Sequence, residues 1–241
     1  MSGAQRIKIR HLVPSIVTVF AICAGLTSIR MSLEGRLEAS LYFVLLAVFL
    51  DAADGKLARF LDTASPFGAE LDSLADFFNF GIAPGLLLYN TLYLGTSHAN
   101  LGWLATLVLA VCCALRLARF NLSTHRADIS LKQHGFFVGV PAPALACLAL
   151  TPIFLHLNGW DSADFPVLRT IFIIGVGMLA VSTIPTFSIK HASIKRAHLP
   201  FAVVGAVVLV MCLLVYPWST LIVGNMLYLA SLPFSYRSFH N

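Results

Sequence analysis

Four aspartates are spaced so that they could act together on one ligand. Asp51 and Asp54 are three residues apart, and Asp72 and Asp76 are four apart, so each pair shares one face of a helix. The short segment between the pairs predicts two antiparallel helices. Each pair begins about six residues from that connection, which is about 9 Å along a helix that rises 1.5 Å per residue. The spacing therefore predicts that the four carboxylates meet at one depth.

Carboxylates clustered in this way predict a divalent cation and a ligand that contains phosphate. Four negative charges in surroundings of low dielectric constant repel one another, and a cation relieves the repulsion. Oxygen ligands favour Mg²⁺, Mn²⁺ or Ca²⁺ over zinc, and such ions commonly bind phosphate or diphosphate groups. A transporter that couples ion or proton movement to these carboxylates is the alternative from a different class of protein.

The residues beside the aspartates are small or cationic. Gly55 and Ala58 follow the first pair, and Gly68 precedes the second. They would let a bulky ligand approach the backbone, or they would let membrane helices pack closely. Arg59 would neutralise a phosphate oxygen, or it would anchor the helix at the membrane surface. The residues alone leave both interpretations open.

The composition of the chain is that of a membrane protein. Of its 241 residues, 58% are hydrophobic and only 11% are charged, whereas soluble domains have about 25% charged residues. Apolar runs of about 20 residues can cross a bilayer as helices. We predict a single all-α membrane domain, a bundle of about eight transmembrane helices, with one re-entrant hairpin as the alternative for the last two. The predicted spans are 12–31, 38–60, 67–94, 100–122, 137–157, 166–186, 200–216 and 218–236.

The basic residues of the loops predict how these helices are oriented. With the N-terminus in the cytoplasm, thirteen Lys and Arg residues fall on the cytoplasmic side and three on the far side. We therefore expect both termini and the aspartates on the cytoplasmic side, with residues 1–11 as an amphipathic lead-in. The basic residues behind the net charge of +5 lie in short loops between apolar runs, where they set the orientation of the helices. We therefore predict no nucleic-acid partner.

The aspartates and their neighbours resemble the signature of the CDP-alcohol phosphotransferase family. Pro14 and Thr18 are similar to a Pro-x3-Thr element of that family, which often has Asn where this chain has Ser15. The resemblance covers roughly residues 8–145. It implies a core of six helices, here residues 12–186, and two additional C-terminal spans over 200–236. The matching signature positions are Asp51, Asp54, Gly55, Ala58, Arg59, Gly68, Asp72 and Asp76.

The family resemblance implies an enzyme that works on a CDP-activated lipid. It implies that the four aspartates hold Mg²⁺ or Mn²⁺, two ions in all, and that Asp76 is the general base. A homodimer in the inner (cytoplasmic) cell membrane is also implied. The resemblance further implies contacts with the CDP-lipid from Thr18, Gly55, Ala58, Arg59, Ser65 and Gly68.

Other segments resemble the phosphatidylserine synthase branch of the family. They are residues 67–76, 80–84, 114–121 and 139–144. The branch implies CDP-diacylglycerol and L-serine as substrates, and phosphatidylserine and CMP as products. Phosphatidylglycerophosphate synthases more typically have proline where this chain has Ser73. Glycerol 3-phosphate, inositol phosphate and choline are the alternative acceptors within the family.

A zwitterionic acceptor such as serine needs a cation for its carboxylate and an oxygen for its ammonium group. Arg116 and Arg119 lie at the cytoplasmic end of the fourth predicted span, at the same membrane face as the aspartates. Anchoring at that face is the alternative role for both arginines. We predict that they bind serine with help from Asn121 and Glu70.

Overall fold

The computed structural model describes residues 12–63, 65–125, 136–160, 165–182, 185–187 and 199–240. The predicted lead-in, residues 1–11, lies outside them. Nearly all of the described residues are helical, which confirms the helical fold class. The chain divides into two compact units, residues 1–114 and 115–241.

The first unit begins with a helical hairpin. Helices α1 (Val13–Leu33) and α2 (Leu37–Phe60) are joined by a tight turn in which Gly35 has a φ of 74°. This left-handed conformation is open to glycine without the steric penalty that a Cβ brings. Across the hairpin, the hydroxyl of Ser40 donates to the backbone carbonyl of Ser28 at 2.8 Å. The polar contact fixes how the two helices are paired.

The predicted span 67–94 forms one helical run with a wider segment in its middle. Helix α3 (Pro66–Asp76) leads into a π-helical segment (Phe77–Ile82), and α4 (Ala83–Leu92) follows. Pro84 has no N–H for the regular ladder, so the α-helical pattern is interrupted before it. Segments of π-helix are rare and frequently occur at functional sites. This one begins directly after Asp76.

Helix α5 (Ala99–His125) packs closely on α4 within the first unit. The hydroxyl of Thr106 donates to the carbonyl of Gly85 at 2.9 Å. A Cβ at residue 85 would lie 2.9 Å from the Thr106 methyl carbon, so any larger residue there would force Thr106 to shift. Small residues at membrane helix contacts commonly serve this purpose. The boundary between the two units falls within α5.

Among the described residues, the second unit contains the end of α5, five further helices and a two-stranded sheet. Asn225 donates to the carbonyl of Cys147 and the hydroxyl of Thr151, both at 2.8 Å, and thereby ties the last helix to the middle of the unit. The strands β1 (Phe136–Val138) and β2 (Pro185–Phe187) are antiparallel. The helices are α6 (Ala142–Ala149), α7 (Thr151–Leu157), α8 (Pro166–Val181), α9 (Leu199–Val215) and α10 (Pro217–His240).

Among the described residues, three helical runs are long and apolar enough to cross a membrane: Val13–Leu33, Pro66–Leu92 and Ala99–Leu122. Shorter apolar helices cover Pro166–Val181 and Phe201–Val215. Helix α2 is long enough, but its charged residues interrupt its apolar sequence. The chain is a multi-pass membrane protein.

Two of the predicted spans are wrong in their boundaries. The span predicted from residue 137 begins as a strand, and its helix starts only at Ala142 because Pro141 and Pro143 disfavour an earlier start. The span predicted to reach residue 186 ends at Val181, and Pro185 begins the second strand. Proline cannot donate to a helical ladder, and it restricts the residue before it.

Candidate metal centre

Helices α2 and α3 bring three of the four predicted aspartates together. One carboxylate oxygen from each of Asp51, Asp72 and Asp76 lies within 4.8 Å of the other two. All three residues are partly exposed. Three carboxylate oxygens at this separation match the ligands that Mg²⁺, Mn²⁺ and Ca²⁺ prefer. A cation would also relieve the repulsion among their charges. The residues present therefore fit a divalent metal.

Asp54 lies beside this cluster but is engaged differently. It is only 4% exposed, and its Oδ2 accepts a hydrogen bond of 2.6 Å from the hydroxyl of Thr18 on α1. Like Asp51, Asp54 lies close enough to Asp72 for their carboxylate charges to repel each other. The structure thus places three carboxylates as mutual neighbours and holds the fourth next to them through α1.

The start of α3 is fixed by a capping hydrogen bond that involves two predicted site residues. The hydroxyl of Ser65 accepts the backbone N–H of Gly68 at 3.0 Å, as an N-cap serine does. A Cβ at residue 68 would lie 3.1 Å from that hydroxyl, so glycine leaves room for the cap. Ser65 and Gly68 therefore position the helix that carries Asp72 and Asp76. Their contact with a CDP-lipid stays a prediction.

The other small residues near the aspartates leave space or shape the end of α2. Apart from its chain neighbours and the adjacent backbone of α2, no described atom comes within 4 Å of the place where a Gly55 side chain would begin. The exposed Arg59 donates from Nε to the Gly55 carbonyl at 3.0 Å, and the Ala58 carbonyl accepts the N–H of Thr63 at 3.0 Å. This space is compatible with the predicted approach of a ligand to the backbone.

Arg116 and Arg119 donate to backbone carbonyls within the second unit. Arg116 Nε donates to the Val140 carbonyl at 2.7 Å. Arg119 donates to the carbonyls of Val181 at 2.6 Å and Ser182 at 3.1 Å. A cation at the end of α8 also complements the helix dipole. The arginines thus hold a loop and a helix end, although each guanidinium has five N–H donors in all.

The other two residues predicted for the serine site belong to different units. Glu70 is exposed on α3 of the first unit, and the half-buried Asn121 lies near the end of α5 in the second unit with the two arginines. Assembly of these residues into one serine site stays a prediction.

Sequence reasoning missed two polar features of the first unit. One is the bond between Thr18 and Asp54. The other is Asn79 in the π-helical segment, which is 2% exposed and whose amide atoms lack hydrogen-bond partners among the described residues. Asn90, by contrast, donates to the carbonyl of Ser32 at 2.8 Å. A polar residue within an apolar run was the available signal for Asn79.

Two family models match the chain, one over its first three quarters and one near its C-terminus. Residues 11–182 match the family model described as CDP-alcohol phosphatidyltransferase. Residues 199–233 match a second model, described as CDP-alcohol phosphatidyltransferase 2. The first match includes all the clustered aspartates and both arginines, and the second covers most of the two C-terminal helices.

Several curated proteins are similar to most of the chain, and those described next are named CDP-diacylglycerol–serine O-phosphatidyltransferase. The protein of Mycobacterium leprae is 36% identical over 228 residues, which are 93% of this chain and 74% of that protein. The Helicobacter pylori 26695 protein is 34% identical over 175 residues, 72% of this chain and 71% of its own. The Bacillus subtilis protein is 32% identical over 186 residues, 76% of this chain and 94% of its own.

Proposed function

Because the chain belongs to the CDP-alcohol phosphatidyltransferase family, we propose that it transfers the phosphatidyl group of CDP-diacylglycerol to the hydroxyl of L-serine. The products are phosphatidylserine and CMP. Similarity over most of the chain to proteins whose names specify serine carries this proposal. The cluster of aspartates on α2 and α3 is consistent with it, because metal-binding carboxylates are common where diphosphates react.

The proposed metal ligands are Asp51, Asp72 and Asp76, with Asp54 beside them as the fourth. We propose two ions of Mg²⁺ or Mn²⁺. When bound, they would offset the negative charge of the diphosphate and of the departing CMP. The proposed lipid-nucleotide contacts are Thr18, Gly55, Ala58, Arg59, Ser65 and Gly68. Of these residues, Arg59 is exposed and supplies guanidinium donors suited to a phosphate oxygen.

Asp76 is the proposed general base. It would accept the proton of the serine hydroxyl while the oxygen attacks the phosphorus that bears the diacylglycerol. The bond from that phosphorus to the oxygen of CMP then breaks, and CMP leaves with the electron pair. A carboxylate is a weak base in water, but proton transfer requires first that the base lie within hydrogen-bonding reach of the hydroxyl. Its position within the cluster, at the end of α3, supports this role.

The proposed serine site uses Arg116 and Arg119 for the carboxylate. Asn121 and Glu70 would accept hydrogen bonds from the ammonium group. The backbone bonds of the two arginines orient their guanidinium groups, and an oriented guanidinium loses less freedom when it binds a carboxylate. This assignment is separate from the metal chemistry, so a different acceptor site would leave the proposed transfer reaction unchanged.

In the membrane, we propose a single domain of eight spans with both termini and the active site at the cytoplasmic face of the cell membrane. Residues 1–11 would lie along that face, 12–186 would form the core common to the family, and 200–236 would add two spans. The distribution of basic residues supports this orientation. A homodimer stays a prediction from the family resemblance.

The experiment that tests the proposed function measures CMP release by the purified protein in detergent. CDP-diacylglycerol and Mn²⁺ are supplied with L-serine, glycerol 3-phosphate, inositol phosphate or choline, and a reaction without alcohol is the control. We expect release that depends on serine. Release with another alcohol alone would keep the transfer chemistry and reject serine as the acceptor. Folded protein that releases CMP with none of these alcohols would contradict the proposal and favour a transporter.

A further inference from the structure

Thr18 makes a direct contact with the one aspartate that stands outside the cluster of three. Its hydroxyl lies 2.6 Å from Oδ2 of Asp54, and both residues are 4% exposed. We propose that Thr18 is a positioning residue for a metal ligand: it holds Asp54 so that this carboxylate supports the site formed by Asp51, Asp72 and Asp76. The inference rests on the proposed metal-dependent function.

The geometry shows which of two acceptors the Thr18 hydroxyl serves. The hydroxyl has one proton, and it lies 3.1 Å from the Pro14 carbonyl but only 2.6 Å from Asp54. Hydrogen bonds from hydroxyls to carboxylates are typically 2.5–2.7 Å long and about twice as strong as neutral ones. The shorter distance therefore indicates that the Thr18 hydroxyl donates its proton to the hydrogen bond with Asp54. The longer contact is to the carbonyl that a helical threonine commonly bonds in the preceding turn when its hydroxyl has no other acceptor.

The helical hairpin explains why these two residues meet. Helices α1 and α2 are antiparallel, and the bond between Ser40 and Ser28 fixes their pairing near the turn. Continued to the other end of the hairpin, the same pairing brings Thr18 beside Asp54. Pro14 lies at the start of α1, where a missing N–H costs nothing. The Pro-x3-Thr element is thus the part of α1 that reaches the aspartate-bearing end of α2.

The bond restrains one oxygen of Asp54 and leaves Oδ1 outside that contact. A carboxylate with two rotatable bonds would otherwise sample several orientations, and burial in a membrane protein makes an ionised carboxylate without such a bond costly. Restraint of this kind tunes metal sites, and loss of such a partner commonly lowers metal affinity by about 10–100-fold. The family resemblance predicted instead that Thr18 contacts the CDP-lipid, so the two roles can be separated by experiment.

The test measures Mn²⁺ binding to the detergent-purified full chain in the absence of lipid, by electron paramagnetic resonance. Thr18→Val removes the hydroxyl and keeps the shape of the side chain. We expect its Mn²⁺ dissociation constant to rise about 10–100-fold, and Thr18→Ser to restore values near those of the unaltered protein. The matched control is Thr27→Val on the same helix, because Thr27 donates only to the Cys23 carbonyl among the described contacts.

The outcomes separate this inference from the proposed function. Unchanged Mn²⁺ affinity in Thr18→Val, together with weaker binding of CDP, would overturn the positioning role and support a nucleotide contact. An equal loss in Thr27→Val would also overturn it, because a general effect on α1 would then suffice. Unaltered protein that binds no Mn²⁺ would reject the metal site itself. If Thr18→Val does not fold, Thr18→Ala is measured against Thr18→Ser under the same criteria.

Discussion

At the scale of single residues, the surroundings of each aspartate determine what it can do. Asp51, Asp72 and Asp76 are partly exposed and lie within 4.8 Å of one another, so they are accessible to an ion and a phosphate ligand. Asp54 is buried and bonded to Thr18. The four aspartates of one signature thus divide into a cluster open to a ligand and a supporting carboxylate.

Replacing Asp76 by asparagine should abolish turnover and leave the protein folded. Asparagine keeps the size of the side chain but cannot take the proton of the acceptor hydroxyl, so CMP release should fall by at least about 100-fold. The control is Asp62→Asn, because Asp62 is exposed with a φ of 51°, a conformation that asparagine tolerates. Normal CMP release by Asp76→Asn would reject Asp76 as the base.

The spacing predicted that all four aspartates would meet, and three of them do, because helical periodicity depends only on local sequence. Two helices and the short connection between them suffice to bring Asp51 and Asp72 together. The bond from Thr18 was not predictable in the same way, because it depends on how α1 is paired with α2. The position of Thr18 in the sequence indicated a functional residue, but it did not identify the partner.

At the scale of elements, prolines lie at the two helix boundaries of the second unit that were predicted wrongly. The apolar pattern alone predicted continuous helix through residues 137–157 and 166–186. In the structure, strands occupy Phe136–Val138 and Pro185–Phe187, and they pair with each other. A pairing of residues so far apart along the chain is a tertiary contact, which hydrophobic periodicity does not report.

Gly139 shows how strictly this part of the unit is packed. Its φ is 79°, and a Cβ there would lie 2.7 Å from the Ala180 carbonyl and 3.1 Å from the Arg119 guanidinium. We expect Gly139→Ala to destabilise the protein by about 1–3 kcal/mol through backbone strain and this clash. Thermal unfolding in detergent measures the effect.

The matched control for Gly139→Ala is Gly175→Ala on α8. Gly175 is exposed, and apart from its chain neighbours and the adjacent backbone of α8, nothing in the described residues lies within 4 Å of where its side chain would begin. Alanine favours helix over glycine by about 1 kcal/mol, so the control should unfold at the same temperature or higher. Equal unfolding temperatures for the two variants would show that the loop tolerates a side chain at residue 139.

At the scale of the whole molecule, the distribution of basic residues is the strongest guide to how the chain lies in the membrane. The three candidate spans among the described residues establish a multi-pass protein, and the remaining apolar helices are shorter. The proposed eight spans therefore depend on composition and loop charge, since a bilayer about 30 Å thick requires about 20 apolar residues per helix.

The proposed orientation predicts where protease-cleavable tags at the two ends become accessible. Both tags should be cut in inside-out vesicles and protected in right-side-out vesicles. The control is a tag inserted at the exposed Trp160, between α7 and α8, which should show the opposite pattern. Cleavage of the C-terminal tag in right-side-out vesicles would indicate an odd number of spans, with α9 and α10 forming one crossing.

The dependence of the reaction on metal tests the central claim most directly. CMP release from CDP-diacylglycerol and L-serine is measured before and after excess EDTA, and again after Mg²⁺ or Mn²⁺ is restored. The carboxylates on α2 and α3 predict that activity disappears with the chelator and returns with either ion. Full activity in excess EDTA would contradict the metal centre and the mechanism built on it.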